Sequence, residues 1–202
     1  IGDLDGDGVN DLAVGAHRDS TIHIMFMNTD GSVDSTVEIN SSTTNGPELA
    51  GGDRFGGSVA NIGDLDGDGV NDLAVGAFRD DTGGTNRGAV HIIFMNDDGS
   101  VDSTMKISNA TTNGPNLNNS DYFGVSVANI GDLDGDGVND LAVGAWYDDD
   151  VSGTDIGAVH ILFLHETTKP TVTITSTSGD SGDTVSSDTL SYTATFSESV
   201  TG

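Results

Sequence analysis

The sequence predicts an all-β chain built from repeated, four-stranded units. Three observations carry this. The sixteen residues IGDLDGDGVNDLAVGA stand at Ile1–Ala16 and again at Ile62–Ala77 and Ile130–Ala145. The segments between the copies are short β-branched or apolar runs punctuated by Gly, Asn and Asp, the pattern of strands and tight turns. No stretch sustains the 3.6-residue period of an amphipathic helix.

Each element follows in order from the one complete unit. A first strand is expected at GSVANI (Gly57–Ile62), followed by the aspartate loop. The second is DLAVGAF (Asp72–Phe78) and the third GAVHIIFM (Gly88–Met95). The turn NDDGS (Asn96–Ser100) leads to a fourth, STMKIS (Ser103–Ser108). The runs HIMFM, HIIFM and HILFL are apolar on both faces, which suits strands covered by neighbouring sheets. Asp3, Asp64 and Asp132 are equivalent and stand 61 and 68 residues apart. The extra seven residues fall in the loop DDTGGTNR (Asp80–Arg87), read as a surface excursion.

Four-stranded units of this length suggest blades of a β-propeller. The end units are incomplete: the first lacks a GSVAN-type strand, and the third runs from HILFL straight into HETTKP. Three partial blades do not close a ring, so either more blades lie upstream or copies complete one another. The boundaries drawn are repeats over 1–165 (1–61, 62–129, 130–165), a linker at 166–170, and a distinct segment at 171–202. That last segment is Ser/Thr-rich and alternates strictly in TVTITS and LSYTATFS. It reads as the first strands of a separate β-sandwich.

The chain has 202 residues with 33 Asp plus Glu against 6 Lys plus Arg, a formal net charge of −27. Such a surface cannot neutralise phosphates, which argues against nucleic acid, and it gives no electrostatic attraction to an anionic membrane. No apolar run is long enough to cross a bilayer, so membrane insertion is not expected. Cysteine is absent, so neither disulfides nor thiolate metal sites are available. The acidity fits cation binding or a saline environment.

The aspartates supply the cation site. Counting from Asp3, the loop DLDGDGVND places carboxylates at positions 1, 3, 5 and 9, with Gly8 at position 6. A hard divalent cation wants six to eight oxygens, and alternate residues of a tight loop can turn to one centre. Asp3, Asp5 and Asp7 offer side-chain oxygens, Val9 its backbone carbonyl, and Asp11 closes the site. Asp64, Asp66, Asp68, Val70 and Asp72 form a second such set, and Asp132, Asp134, Asp136, Val138 and Asp140 a third. Oxygen-only ligation in an irregular loop points to Ca²⁺ at three sites, over Mg²⁺ or Zn²⁺. A lone Asp/Gly-rich loop is usually a solvated turn; three identical loops with every ligand position filled outweigh that reading.

Phe55-Gly56, then the aspartate loop, then Gly76-Ala77-Phe78 resembles the FG-GAP repeat of integrin α-subunit propellers and related microbial surface proteins. Phe123-Gly124 with Gly144-Ala145-Trp146 repeats the pattern, and Gly15-Ala16-His17 keeps its second half. The resemblance covers about Ile1–Leu164. One departure is that His17, Phe78 or Trp146 stands where the signature has proline. The resemblance implies blades with structural calcium between their first two strands, and an extracellular, cell-surface, adhesive role without enzymatic activity. The segment from Lys169 resembles the start of a bacterial or archaeal Ig-like domain.

Other residues were weighed for chemistry. His23, His91 and His160 hold equivalent strand positions without convergent partners at fixed spacing, so a structural role is expected. His165 opens the linker and is expected in solvent. Trp146 and Tyr147 either pack between blades or form an aromatic platform for a sugar. Asn40, Asn109 and Asn118 begin N-glycosylation triplets, a short and common pattern. Partners expected are other protein or glycan surfaces, with self-assembly a further possibility. The alternatives to an adhesive module are a lectin-like propeller and an accessory module of a larger secreted enzyme.

Overall fold

The computed structural model describes residues 1–148 and 156–165, together with the backbone of two strands at 172–176 and 192–196. The chain divides into two units, Ile1–Glu166 and Thr167–Gly202. The described residues are all-β, with antiparallel sheets and no helix.

The first unit holds three sheets. Strands β1 (Leu12–Ala16), β2 (Thr21–Met27) and β3 (Val33–Ile39) form the first, in the order β1-β2-β3. The second has four strands, β4 (Phe55–Gly63), β5 (Asp72–Ala77), β6 (Ala89–Met95) and β7 (Val101–Ser108), in sequence order. The third contains β8 (Phe123–Gly131), β9 (Asp140–Ala145) and β10 (Ala158–Leu162), ordered β10-β9-β8. Each is a meander, because every connection is short enough to return antiparallel to its neighbour. The expected strands stand within two residues of those positions. Among the described residues the third sheet has three strands.

Sheet 2 lies between its neighbours and feeds two cores. Leu73, Val75, Ala77, Ile93 and Met95 pack with Ile22, Ile24 and Phe55 toward sheet 1. Ala74, Ile92 and Phe94 pack with Phe123, Leu141 and Val143 toward sheet 3. The alternation along β5 and β6 is the period-2 geometry of a strand buried on both sides. The apolar run HIIFM is accordingly buried throughout. HILFL departs from that expectation. Val90 and Ile92 are fully covered and Phe94 is 5% exposed, yet their equivalents Val159, Ile161 and Phe163 are 69%, 42% and 51% exposed.

Two features lock the sheets together. The first is glycine against glycine. A Cβ on Gly15 would lie 2.0 Å from the Gly56 carbonyl oxygen, and one on Gly76 would lie 1.9 Å from that of Gly124. The Phe-Gly of each following repeat thus seats on the Gly-Ala of the one before, backbone to backbone. The second is a set of asparagine amides that reach back to the preceding repeat. Asn61 and Asn71 Nδ2 donate to the Ile1 carbonyl at 2.7 and 3.1 Å. Asn129 donates to Asn61 O at 3.0 Å and Asn139 to Ile62 O at 3.1 Å.

The loop at 80–87 is more than a surface excursion. It braces the connection that leads into β8: Thr85 N–H and the Arg87 guanidinium both donate to Asn119 Oδ1, and Ser120 N–H donates to Thr85 O. In the second unit, β11 (Val172–Ser176) and β12 (Tyr192–Phe196) form an antiparallel pair. The rest of the sandwich expected there lies outside the described residues.

Candidate metal centres

Each aspartate loop joins the first two strands of a repeat, or in the first repeat leads into β1. Its glycines sit at positive φ, +77° and +91° for Gly6 and Gly8, a conformation costly for other residues and easy for glycine. The first aspartate folds the loop over itself: Gly8 N–H donates to Asp3 Oδ2, Gly69 N–H to Asp64 Oδ2 and Gly137 N–H to Asp132 Oδ2, each at 2.9 Å.

The ninth-position aspartates are different from the others. Asp11, Asp72 and Asp140 are buried, while most of the other loop carboxylates are exposed. Both oxygens of each accept a backbone N–H. Asp72 Oδ2 takes Leu65 N–H at 2.8 Å and Oδ1 takes Met95 N–H at 3.0 Å. Asp11 binds Leu4 and Met27 in the same way, and Asp140 binds Leu133 and Leu164. One carboxylate therefore ties the start of the loop to the end of the repeat's next strand. The sequence suggests position 9 as a ligand but not as this tie, because its partners lie 7 and 23 residues away.

Carboxylate oxygens at positions 1, 3 and 9 come within 4.8 Å of one another in all three loops: Asp3, Asp5 and Asp11; Asp64, Asp66 and Asp72; Asp132, Asp134 and Asp140. The fifth-position residues are Asp7, Asp68 and Asp136, of which Asp136 comes within 4.8 Å of Asp134. Each accepts, through Oδ1, the N–H of the valine two residues on, Val9, Val70 or Val138, at 2.7 to 2.9 Å. Crowding has an electrostatic cost. Burial, reinforced by Asp66 and Asp68, pushes Asp72 up to about 6 against two backbone N–H bonds that lower it. Asp66 is raised as well, by burial first and then by Asp68. An ion with two positive charges at this point would relieve both.

The third loop has a further participant. His165, which the sequence assigns to solvent, is largely exposed but places Nδ1 on Asp136 Oδ2. That contact holds Asp136 below the usual carboxylate range and raises His165. Asp134, Asp136 and His165 also converge within 4.8 Å.

The remaining candidates divide between packing and surface. Phe55 meets His91 edge-on at 5.5 Å within sheet 2, and Phe123 meets His160 at 5.3 Å within sheet 3, so these histidines pack on the Phe-Gly strand of their own sheet. Trp146 and Tyr147 are exposed. They end a row of rings that runs from His17 through Phe78 and Tyr122, with centroids 5.7 to 6.5 Å apart.

Comparison with known proteins agrees with this geometry. Residues 3–75 match the FG-GAP-like repeat family and residues 123–162 the FG-GAP repeat family. Integrin alpha-4 of Xenopus laevis is 35% identical over 156 residues, covering 73% of this chain and 14% of that protein. Integrin alpha pat-2 of Caenorhabditis elegans is 39% identical over 123 residues, or 60% of this chain and 9% of its own length. Integrin alpha-PS5 of Drosophila melanogaster is 38% identical over 97 residues, 48% and 9% respectively. The chain thus spans about a seventh or less of these relatives. FG-GAP repeats are thus matched at residues 3–75 and 123–162, and the chain is similar to integrin α-subunits.

Proposed function

We propose that this chain is a calcium-stapled, extracellular adhesion module of a cell surface, non-enzymatic and propeller-like in architecture. The observation that carries the reading is the threefold convergence of carboxylate oxygens at positions 1, 3 and 9. Asp3, Asp5, Asp7 and Asp11 would hold the first ion, with the Val9 carbonyl. Asp64, Asp66, Asp68, Val70 and Asp72 would hold the second, and Asp132, Asp134, Asp136, Val138 and Asp140 the third. Oxygen-only donors fit Ca²⁺. When bound, the ion supplies the positive charge that the crowded carboxylates lack. The buried ninth aspartate transmits that charge balance to the sheet, since it already holds both ends of the hairpin. Binding to the folded loop alone stabilises the fold by mass action, about 2.7 kcal/mol per site at a hundredfold excess over Kd. Extracellular-type affinities, on the order of 10⁻⁴ to 10⁻³ M, make occupancy follow the medium. A thermal melt with and without EDTA tests this: chelation is expected to lower the midpoint by several degrees, and an unchanged midpoint sinks the reading.

Self-assembly is supported by a separate observation. Sheet 3 exposes Val159, Ile161 and Phe163, and sheet 1 exposes Leu12 and Val14, at positions whose equivalents in sheet 2 are covered by a neighbour. Head-to-tail association would cover both faces. Sedimentation in calcium is expected to show concentration-dependent oligomers; a monomer at high concentration counts against it. The exposed ring row ending in Trp146 and Tyr147 is the specific observation that favours the lectin-like alternative.

A further inference from the structure

The glycine-on-glycine seat that joins two sheets is made twice among the described residues, and the parts of a third stand assembled on sheet 3. The occupied seat on sheet 2 shows what each part does. Phe123 N–H donates to Arg87 O at 3.0 Å, and Phe123 forms a parallel bridge with Gly88. The Ser58 hydroxyl donates to Gly124 O at 2.9 Å, and Phe123 packs with Val90 and Ile92. Gly124 has φ +87°, and a Cβ on it would stand 2.4 Å from Ala89 O, so the seat demands glycine.

Sheet 3 repeats the receiving half of this seat. Gly144 stands where Gly76 does, and Ser126 Oγ lies 2.4 Å from its Cβ position, the distance that Ser58 Oγ keeps at Gly76. Gly157 matches Gly88: its φ is +74° against +87°, and each donates its N–H to the equivalent aspartate carbonyl, Asp148 or Asp80. Ile156 stands for Arg87, and exposed Val159 and Ile161 stand for Val90 and Ile92. Between these parts is a cavity of ≈ 450 Å³ lined by Ser126, Gly144, Trp146, Gly157 and Val159.

The sequence says what does not fill it. In the first two repeats Phe-Gly follows 32 residues after the third-strand histidine, from His23 to Phe55 and from His91 to Phe123. At that distance from His160 stands Tyr192-Thr193, and residues 166–202 contain no Phe-Gly. Phe55 and Phe123 are fully buried in seats of their own, so a second copy of residues 1–202 has no free Phe-Gly to offer.

We propose that this seat binds an extended segment of another molecule, a β-strand reading Phe-Gly-x-Ser such as the first strand of a further FG-GAP repeat. The phenylalanine ring lies on Val159 and Ile161, and its N–H donates to the Ile156 carbonyl. The glycine lies against Gly144 and its carbonyl accepts from the Ser126 hydroxyl. Main-chain bonds hold such a strand, and the ring pocket with the glycine contact selects it. The seat names a partner for the open face of sheet 3 and rests on the adhesive reading. Self-association is read by sedimentation without a partner and calcium by the EDTA melt, so each can fail alone.

Trp146, the one tryptophan of the chain, lines the cavity and reports on it. The test titrates the full chain, in calcium, with a capped peptide of the sequence of Asp121–Asn129, DYFGVSVAN, while Trp146 fluorescence is followed. A saturable change is expected, at least tenfold weaker for peptides carrying Phe123→Ala or Gly124→Val. In the chain, Gly144→Ala is expected to weaken binding as much, because at Gly76 an added Cβ stands 1.9 Å from the seated carbonyl oxygen. Val159→Glu changes an exposed side chain, so a loss of binding there, with an unaltered melt, is a loss at the seat. The proposal is overturned by an absence of change up to millimolar peptide, by equal binding of the altered peptides, or by binding that survives Gly144→Ala or Val159→Glu. A chain that is oligomeric at every dilution and is not dissociated by the peptide has a second copy in the seat, which overturns it as well.

Discussion

Sheets 2 and 3 carry nearly the same sequence and live in different surroundings. AVHII in β6 and AVHIL in β10 differ at one position, yet the first is buried and the second half-exposed. The difference teaches that a sheet of this kind does not bury itself. Its outward face is covered only when the Phe-Gly strand of another repeat lies across it. Stability therefore resides in the interfaces between repeats, as in other stacked architectures.

The contrast can be broken in three ways. Gly76→Ala sets a Cβ 1.9 Å from a backbone oxygen of the next repeat, and is expected to cost more than about 3 kcal/mol, beyond ordinary overpacking. Gly144→Ala meets at closest the Ser126 hydroxyl, a side chain that can rotate, and is expected to be much milder; urea unfolding of the two variants compares them. A large effect at Gly144 would show that its face is already filled. Next, Ile92→Ala should cost about 4 kcal/mol, as for a fully buried side chain. Ile161→Ala should cost less than about 1 kcal/mol, unless assembly covers it, in which case the cost rises with protein concentration.

The third contrast is between histidines. Burial, with the Lys106 charge adding to it against the weaker pull of Asp80, pushes His91 down to about 4. The unfolded chain protonates this residue near its ordinary value of about 6.5, so between those values the unfolded state binds more protons. Stability is then lost as pH falls through that window, by roughly 3 kcal/mol. Unfolding free energies measured from pH 7 to 4 should flatten in His91→Leu by about that amount. His160, whose Nε2 has Asp148 as a partner where His91 Nε2 has none, is the contrasting position.

Much of this was legible in the sequence because strand, turn and loop are local decisions. Gly-Asp punctuation sets the loops, and β-branched runs set the strands between them. The three oxygens that converge at positions 1, 3 and 9 follow from spacing alone. What spacing does not disclose is what else the same carboxylates hold. Asp7, Asp68 and Asp136 each also accept, through Oδ1, a valine N–H two residues on. Asp72 reads as a ligand at the start of a strand, but half its bonding is to Met95, on a strand placed by the hairpin. The amides of Asn61, Asn71, Asn129 and Asn139 carry no signal in the sequence; their clasp on the neighbouring repeat exists only once the sheets are stacked. His165 differs for the same reason, since its contact with Asp136 spans 29 residues.

The double grip of Asp72 has a mechanical consequence. A load that peels β6 from the hairpin has to break the Met95 bond to Asp72. That bond shares its carboxylate with the loop, so loosening the loop slackens the strand and tightening it braces the strand. In a stretched array each repeat would yield at this carboxylate. Under the calcium reading proposed above, the rupture force would then rise and fall with the charge the loop holds.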